Sequence, residues 1–572
     1  ILPRLFAFNL FEYSDTLSYL KGNHSLKFGV NIKRAQGNVI APQRLYGSII
    51  FNNIPEFLRG NAFIMQFIRP GSDLRRGLRT TVFGFFAQDD FQLTSNLTLN
   101  LGLRYEPQSN HTEVNGKVSN LRDFRNDTQL TVGDPFFNNP TKSNWAPRVG
   151  LAWDPFGDGK TAVRAGFGIF YNIQMFEMDI ITATSNPPFA VIDAVFSFPQ
   201  GNEQGVQFPF NFDDLAATAR GGAPALESTD FNVGQPYRMQ WNLNVQREVL
   251  QDTTLTVGYV GARGVDLMRV YQANQPDPVP ELSPDPERSG RFFFPPGLTP
   301  HNPNVGAIVA RSGGADSYYS SLQLSLNKRF SSNFQVQGTY TWGKSIDTSS
   351  KQVRNIGESQ NAVNQLNPLD TAQDRSLSDH DVQHNLSINY TFDLPGQGLS
   401  GPAGHLLGGW QLGGIMTVAS GVPLTLTSGY DACRCLSGAS LGSRGGDNRP
   451  DLAPGGDNNP VLGGPDLYFD PLQFIPGPDG FYGNLGRNTL RIPGVANVDF
   501  SLIKETAIQE GVGLQFRAEF FNVFNRSNFA EPSSGLFRQT GSGDVIRNGG
   551  AGRIRRTTTT SRQIQFALKL IF

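Results

Sequence analysis

The densest group of ionisable side chains in this 572-residue sequence lies between residues 374 and 384. It comprises Asp374, Asp379, His380, Asp381 and His384. Oxygen-rich loops can hold Ca²⁺, and a mixed histidine and aspartate set could hold a transition metal. The alternative is a solvated loop that leads into a strand, with Asp379 or Asp381 bonding local backbone N–H groups. Because the spacing matches no known metal loop, we favour the solvated loop and expect neither a metal nor another cofactor.

The two cysteines, Cys433 and Cys435, lie one residue apart. This spacing suits either a small loop disulfide in an oxidising compartment or no special role. A metal site of the Cys-X-Cys kind would need further cysteine or histidine ligands nearby, and the segment offers none.

Enzymatic and nucleic-acid functions have little support. The sequence contains no HExxH pair. The letters GASLG (438–442) and GTYTWGKS (338–345) match the GxSxG and Walker patterns, but the first lies in a predicted external loop and the second within an alternating strand. Neither match therefore has the strand–turn–helix context that its chemistry requires. Lys and Arg, 48 in total, almost balance 49 Asp and Glu, and no stretch is dense in basic residues. We therefore predict that the protein is not an enzyme and does not bind nucleic acid.

The elements that carry these side chains show a period of two. In 97–105, Leu97, Leu99, Leu101 and Leu103 alternate with polar or small residues, and the pattern recurs along the whole chain. Alternation fits a soluble antiparallel sheet or a transmembrane barrel. Spanning strands need about 9 to 11 residues, against about 5 to 6 in soluble sheets, and many runs here reach the longer range. The pattern therefore predicts an all-β, antiparallel transmembrane β-barrel.

The connections alternate between short turns and long loops, as in outer-membrane barrels with short periplasmic turns and long extracellular loops. We predict about fifteen strands, at 5–19, 24–36, 80–94, 97–107, 144–156, 160–172, 235–250, 253–263, 316–330, 334–346, 382–395, 410–427, 493–508, 512–525 and 560–572. The large external loops are predicted near 34–80, 107–143, 172–234, 264–315, 347–381, 427–492 and 526–559.

An odd strand count is unexpected, because bacterial single-chain barrels have an even number. Strand 5–19 runs inward, because a short periplasmic turn follows it. The last strand, 560–572, also runs inward. In a 22-stranded barrel, fifteen strands that end at the last one begin at the eighth, which also runs inward. We therefore expect residues 1–572 to be one barrel domain that lacks about seven upstream strands.

Charged residues on the polar positions of the strands are predicted to face the lumen, where water tolerates charge and lipid does not. Such residues could contact a plug or guide a substrate, but for most of them mere tolerance of charge is favoured. We expect the pair two residues apart on one strand, Arg517 and Glu519, to bond across strands. The predicted lumen-facing charges are Arg104, Arg148, Arg164, Arg517, Glu519 and Lys569.

Several motifs together resemble the barrel of TonB-dependent receptors, particularly the Oar-like group. They are the stretches NWAPRVGLAWDP (144–155), GFGIFY (166–171), QWNLNVQRE (240–248), YTWGKSID (340–347) and EFFNVFN (519–525). The last strand resembles the signal by which such barrels are recognised for insertion, through Phe566, Leu568, Leu570 and Phe572.

The resemblance implies an outer-membrane barrel in a Gram-negative-type bacterium. Its implied partners are outer-membrane lipid, the barrel-insertion machinery, the protein's own plug domain and the TonB system. The plug, the TonB-contacting segment and a regulatory domain would all precede residue 1, so these 572 residues alone should not transport anything.

Two functions remain open. The first is TonB-dependent uptake of a large ligand of the siderophore, glycan or peptide class. The second is a passive, porin-like pore or a structural or adhesive barrel whose external loops bind partners. A barrel hydrolase is a weaker third idea, and the sequence does not specify a ligand.

Overall fold

A computed structural model describes residues 5–40, 47–51, 54–62, 64–69, 71–173, 179–196, 206–207, 224–280, 291–331, 333–350, 367–396, 401–435, 448–539 and 544–572. Within these residues, fifteen long strands pair antiparallel in chain order in one sheet. They are β1 (Leu5–Lys21), β2 (His24–Ile40), β3 (Arg75–Thr94), β4 (Leu97–Tyr105), β5 (Trp145–Trp153), β6 (Thr161–Tyr171), β7 (Tyr237–Leu250), β8 (Thr253–Gln272), β9 (Ile308–Ser331), β10 (Phe334–Asp347), β11 (His384–Asp393), β12 (Trp410–Ala419), β13 (Val495–Gln509), β14 (Val512–Phe521) and β15 (Gln563–Ile571).

The predicted fold class is confirmed, and all fifteen predicted strands exist. Three predictions about strand length were wrong by eight residues or more. The strand predicted at 316–330 begins at Ile308. The strand predicted at 253–263 continues to Gln272, because its hydrogen bonds to β9 resume after bulges that interrupt the alternation near Gly264 and Leu267. The strand predicted at 410–427 ends at Ala419, where Ser420 and Gly421 follow.

Register separates the sheet into an apolar and a polar face. Along one row, Leu101 pairs with Val149, Val149 with Phe167, and Phe167 with Trp241. Leu101, Val149 and Phe167 remain 45%, 51% and 41% exposed, so this apolar face is not covered by protein. The neighbouring row on the other face is polar or small: Asn100, Gly150, Gly166 and Asn242.

The two strands at the edges of the sheet each pair with one other strand. Within the described residues, β1 pairs only with β2, and β15 pairs only with β14. All seventeen residues of β1 are exposed, on both faces of the strand. The sheet is therefore an open, curved one in which β1 and β15 do not meet.

Short turns join the strands at one end of the sheet, and long loops join them at the other. The short connections are 22–23, 95–96, 154–160, 251–252, 332–333, 394–409 and 510–511, and the long ones are 41–74, 106–144, 172–236, 273–307, 348–383, 420–494 and 522–562. The connection 394–409, which was not among the predicted turns, contains the helix Gly401–Leu407. We call the two ends of the sheet the turn end and the loop end.

The described parts of the long loops are folded, and many of the buried apolar residues lie in them. Residues from 420–494 and 522–562 share one core, with Leu426, Phe469, Phe474, Leu490 and Leu536 fully buried. We call the described parts of 273–307, 348–383, 420–494 and 522–562 the cap. Apolar packing that the alternation of the strands does not reveal stabilises the cap.

Short elements support the loops. The other described strands are Ser48–Ile50, Asn61–Ala62, Ile64–Ile68, Thr112–Glu113, Ser119–Asn120, Thr131–Val132, Ile192–Phe196, Val206–Gln207, Leu226–Thr229, Ser376–Leu377, Pro423–Leu424, Asp451–Leu452, Phe474–Ile475, Leu490–Arg491, Phe537–Gln539 and Val545–Arg547. The other described helices are Ile54–Leu58, Pro140–Ser143, Asp179–Ser185, Thr371–Asp374 and Pro471–Gln473. None of the helices in the described parts of the chain is long and apolar enough to cross a membrane.

Candidate ligand site in the long loops

Three arginines of loop 420–494 meet four aspartates that lie at or beyond the loop end of β10. Arg487 pairs with Asp347 and, at 3.5 Å, with Asp379. The other two pairs are Arg449 with Asp374 at 3.3 Å and Arg491 with Asp381. We call these seven residues the arginine–aspartate network.

The aspartates of the network are buried, so each carboxylate must be paired or hydrogen-bonded within the protein. The side chains of Asp374, Asp379 and Asp381 are 5%, 9% and 2% exposed. Buried carboxylates are stable only when paired or hydrogen-bonded, and here guanidinium groups supply that pairing. The favoured interpretation of this segment as a solvated loop was therefore wrong.

The candidate metal ligands in the same segment are not assembled into a metal site. Asp374, Asp379 and Asp381 each face an arginine, while His380 is exposed. Asp381 also accepts a hydrogen bond from the backbone N–H of Ser345 at 2.5 Å, which lies on β10 and not in its own loop. In the described part of the chain, the one group of at least three ligand-type side chains is Asp431, Cys433 and Cys435.

Those two cysteines are joined by a disulfide. Both are fully buried and pack with Phe294 and Tyr482. The sequence left open a loop disulfide or no special role, and the structure contains the disulfide. Both sulfur atoms are used in this bond.

A cavity of about 440 Å³ lies between three loops of the cap. This volume falls within the range of about 300 to 1,000 Å³ that is typical of small-molecule sites. Its walls combine charged, amide and aromatic groups with backbone, from Arg291, Phe292, Asp370, Gln373, Arg449, Phe481, Tyr482 and residues 483–486. Such a cavity can hold a polar ligand that carries both acidic and planar groups.

Arg449 is the most constrained wall residue. Its side chain is 4% exposed and donates to the carbonyl oxygen of Gln373 at 3.3 Å. Burial lowers the pKa of Arg449, the Asp374 carboxylate opposes that effect, and Arg487 adds to it. Its buried Nε has no hydrogen-bond partner in the described structure. The cavity wall thus contains a guanidinium that a single carboxylate does not fully satisfy.

Tyr482 is a second buried side chain in the cavity wall. Its hydroxyl donates to Oε1 of Gln275 at 3.0 Å, and its ring packs against Phe294 at 5.4 Å between centroids. Burial, with Asp431 and Asp374 nearby, raises the pKa of Tyr482 well above its ordinary value. The phenol therefore stays neutral at all physiological pH values.

Register places all six predicted lumen-facing charges on the polar face. Arg148 pairs with Gly102 and Gly168, and Glu519 pairs with Ser501 and Gln565. Arg104, Arg164, Arg517 and Lys569 share that face by alternation. Whether this face lines a lumen remains a prediction.

Most of these charges have partners within the sheet. Arg104 pairs with Glu106 at 2.6 Å, and Arg164 donates to Gln246 at 2.9 Å. Arg148 stacks over the Phe170 ring at 4.6 Å. Arg517 was predicted to bond across strands, but it donates to Gln515 of its own strand at 2.6 Å, and Gln515 makes the cross-strand bond to Glu505. These residues do not converge on the cap cavity.

The C-terminal strand leaves its predicted signal residues accessible. Phe566, Leu568, Leu570 and Phe572 are 66%, 68%, 53% and 94% exposed. Recognition of these side chains by insertion machinery stays a prediction.

Sequence reasoning missed Arg449, Arg487 and Arg491. Each lies in a loop with no periodic pattern, and Arg487 is 108 residues from Asp379. The available signal was indirect: three aspartates clustered in a segment with one arginine need cations from elsewhere if they are buried.

An antiparallel sheet with one uncovered apolar face, one polar face, short turns at one end and folded loops at the other defines an outer-membrane β-barrel. The chain belongs to the family described as outer membrane beta barrel domain, whose model matches residues 2–565.

Two relatives are transporters. The TonB-dependent transporter Oar of Myxococcus xanthus is 30% identical over 92 residues, which is 16% of this chain and 7% of that protein. The match to the crystal structure of the outer membrane transporter YddB from Escherichia coli covers 99% of this chain and 54% of the YddB chain, with 11% identity and a TM-score of 0.52. The ferripyoverdine receptor FpvA of Pseudomonas aeruginosa matches 99% of this chain and 48% of its own, with 10% identity and a TM-score of 0.43.

The chain therefore spans about half the length of these solved structures, at 54% and 48%. The predicted resemblance to TonB-dependent receptors and the predicted location in the outer membrane of a Gram-negative-type bacterium are confirmed. In this setting, the apolar face contacts lipid and the loop end lies outside the cell.

Proposed function

We propose that this chain is the barrel portion of a TonB-dependent transporter that takes up a large ligand of the siderophore, glycan or peptide class. Energy comes from the inner membrane through the TonB system, which acts on a plug inside the barrel. The observation that carries the proposal is the polar cavity of about 440 Å³ between three folded external loops.

The cap distinguishes this function from a passive pore. A pore needs an open path and gains nothing from a ligand-sized cavity outside the membrane. Here the arginine–aspartate network joins loops 348–383 and 420–494, and apolar packing of Phe294 against Cys433 and Tyr482 joins loops 273–307 and 420–494. We therefore infer that the cavity is preformed. Preformed sites bind more tightly because less conformational entropy is lost on binding.

The open sheet supports the second part of the proposal. Among the residues that the structure describes, β1 and β15 each have one edge without a partner strand, and an unpaired edge in lipid is unstable because its N–H and C=O groups lack partners. Further strands, about seven in a 22-stranded barrel, would pair with both edges and surround a plug. The domain is thus one barrel over 1–572 that is completed by strands from elsewhere in the full-length protein.

Cavity residues make the proposal testable. The full-length protein, expressed in cells that lack it, should promote accumulation of at least one labelled compound from a panel of ferric siderophores, oligosaccharides and peptides. Replacing Arg291 and Phe292 (R291Q/F292A) should reduce that uptake at least tenfold, because both side chains line the cavity. The control F156A alters an exposed ring in a turn at the far end of the sheet and should have no effect.

Energy dependence separates the two functions. Uptake should stop when TonB is deleted or the proton gradient is collapsed. Accumulation that continues without TonB would favour the porin-like alternative, and loop-dependent cell adhesion without uptake would favour the adhesive one.

A further inference from the structure

Three basic side chains lie on the lipid-facing side of β8–β10, at the level where the apolar band ends. Register pairs Arg263 of β8 with Tyr318 of β9, and Tyr318 with Ile346 of β10. Lys344 pairs with Ser320 on the same face, one row nearer the turn end. Arg375, from the loop that follows β10, stacks on the same tyrosine.

The height of this cluster follows from strand geometry. Arg263 is about ten residues from the turn end of β8, or about 33 Å along a strand that rises about 3.3 Å per residue. With the usual tilt of about 40°, that is about 25 Å along the membrane normal, the height of the apolar band in such barrels. Below Arg263, the lipid-facing positions of β8 are Leu255, Val257, Tyr259 and Gly261. The cluster therefore lies at the outer boundary of the hydrocarbon.

An aromatic layer marks the same boundary. Trp342 lies one row below Lys344 on β10 and is 53% exposed, and Tyr259 is 43% exposed. Tryptophan and tyrosine concentrate at the level of lipid headgroups because their rings are amphipathic. Cations directly above this layer face headgroups and not hydrocarbon.

The cluster keeps its charge available. Two guanidinium groups lie over the Tyr318 ring, that of Arg263 at 5.1 Å and that of Arg375 at 5.8 Å from its centroid. Cation–π stacking fixes a guanidinium without neutralising it. Within the described residues, none of the three cations is in an ion pair, and Nε of Arg263 is buried without a hydrogen-bond partner.

The nearby titratable groups leave an excess of positive charge. Asp316 lies one row further out on β9, where its backbone bonds Thr348, and it forms no ion pair in the described structure. His384 is hydrogen-bonded to the Tyr340 hydroxyl at 2.8 Å. Asp266 lies three residues from Arg263 on β8, so the three cations outnumber two nearby carboxylates.

We propose that Arg263, Lys344 and Arg375 form a binding site for the phosphate groups of a phosphorylated lipid in the outer leaflet. Arginine suits this role because its planar fork of donors matches phosphate oxygens, and Lys344 adds a point charge on a flexible stem. Continuity with the lipid-facing band selects a lipid over a soluble anion as the occupant. The site does not depend on the proposed transport function.

The test uses the full-length protein in neutral detergent, with lipid adducts counted by native mass spectrometry. The probes are lipid A, a phosphorylated glycolipid, and the same lipid after enzymatic removal of its phosphates. We expect the wild-type protein to prefer the phosphorylated form at least tenfold and R263Q/K344Q/R375Q to lose that preference. The charge-matched control K27Q/R164Q/K569Q alters the opposite face of the sheet and should retain it.

Three outcomes would overturn the proposal. They are equal binding of both lipids by the wild-type protein, an unchanged preference in the triple variant, and complete displacement of lipid A by millimolar inorganic phosphate. If the triple variant does not fold, as judged by heat-modifiable electrophoretic mobility, R375Q alone replaces it, because Arg375 is exposed in a loop. We expect at least a threefold loss of preference for that variant, and no loss would also overturn the proposal.

Discussion

Arg487 of loop 420–494 forms a buried ion pair with Asp347 at the outer end of β10, with side chains 5% and 3% exposed. The same guanidinium donates to the hydroxyl of Ser350 at 3.0 Å. This pair joins the cap to a membrane-spanning strand. The position of the external cavity is thereby fixed relative to the barrel wall.

Breaking this pair should loosen the cap. In R487M, Asp347 is left buried without its cation, a change that typically costs about 3 to 5 kcal/mol. We expect hydrogen exchange in residues 448–494 to accelerate at least a hundredfold while the strands keep their protection. The matched variant R556M removes a surface pair with Glu531, at 3.3 Å and 73% exposed on the arginine side, and should change exchange little. Equal exchange in R487M and the wild-type protein would show that the pair does not hold the cap.

The two faces of the sheet can be tested with adjacent residues of β9. Leu326 lies between Leu255 and Gly338 on the apolar face, and Ser325 lies between Thr256 and Thr339 on the polar face. L326R should lower the free energy of unfolding in lipid by about 2 to 4 kcal/mol, because an arginine near the middle of the bilayer is costly. S325R should change it by less than about 1 kcal/mol, since water tolerates the charge. Urea titration of protein folded into vesicles measures both, and a larger cost for S325R would reverse the assignment of the faces.

High pH should destabilise the cap through Tyr430. Burial, with help from Asp479 and Asp451, raises the pKa of Tyr430 to about 12. The unfolded chain has the ordinary pKa near 10, so the neutral phenol favours the folded state below pH 10, and this contribution is lost as the pH rises to about 12. Tyr482 also titrates late, so we expect tyrosinate absorbance at 295 nm to show one fewer late group in Y430F than in the wild-type protein, and Y430F to unfold less steeply above pH 10. An unchanged number of late groups in Y430F would contradict the assignment.

From the disulfide between Cys433 and Cys435, we predict the mass change on reduction and a small contribution to the stability of the cap. The intact protein should weigh about 2 Da less than its reduced form, because Cys433 and Cys435 are joined. A loop this short contributes little chain entropy, so C433A/C435A should cost chiefly the packing of the two sulfurs against Phe294 and Tyr482, about 1 to 3 kcal/mol. Local hydrogen exchange around 430–435 measures this cost, and unchanged mass on reduction would show that the bridge is absent.

The strands could be predicted because lipid and water impose opposite chemistry on alternate residues. Leu99, Leu101 and Leu103 show their environment within a few positions of sequence. That signal fails once strands leave the membrane. Leu424 and Leu426 continue the alternation of β12, but they are buried in the cap core instead of extending the strand.

The cap could not be predicted because its contacts are long-range. Asp374, Asp379 and Asp381 form an obvious cluster, yet whether they are solvated, metal-bound or paired depends on arginines about a hundred residues away. Sequence spacing gives no measure of burial at such distances. The site formed by Arg263, Lys344 and Arg375 could not be predicted for the same reason, since Arg263 and Arg375 are distant in sequence and both contact the Tyr318 ring.

Ion conductance of the full-length protein in a planar lipid bilayer tests the central claim most directly, without knowledge of the ligand. A TonB-dependent transporter keeps its lumen filled by a plug, so we predict no steady conductance above that of the bare bilayer. Stable, ohmic channels from the folded wild-type protein would contradict the account and identify a passive pore.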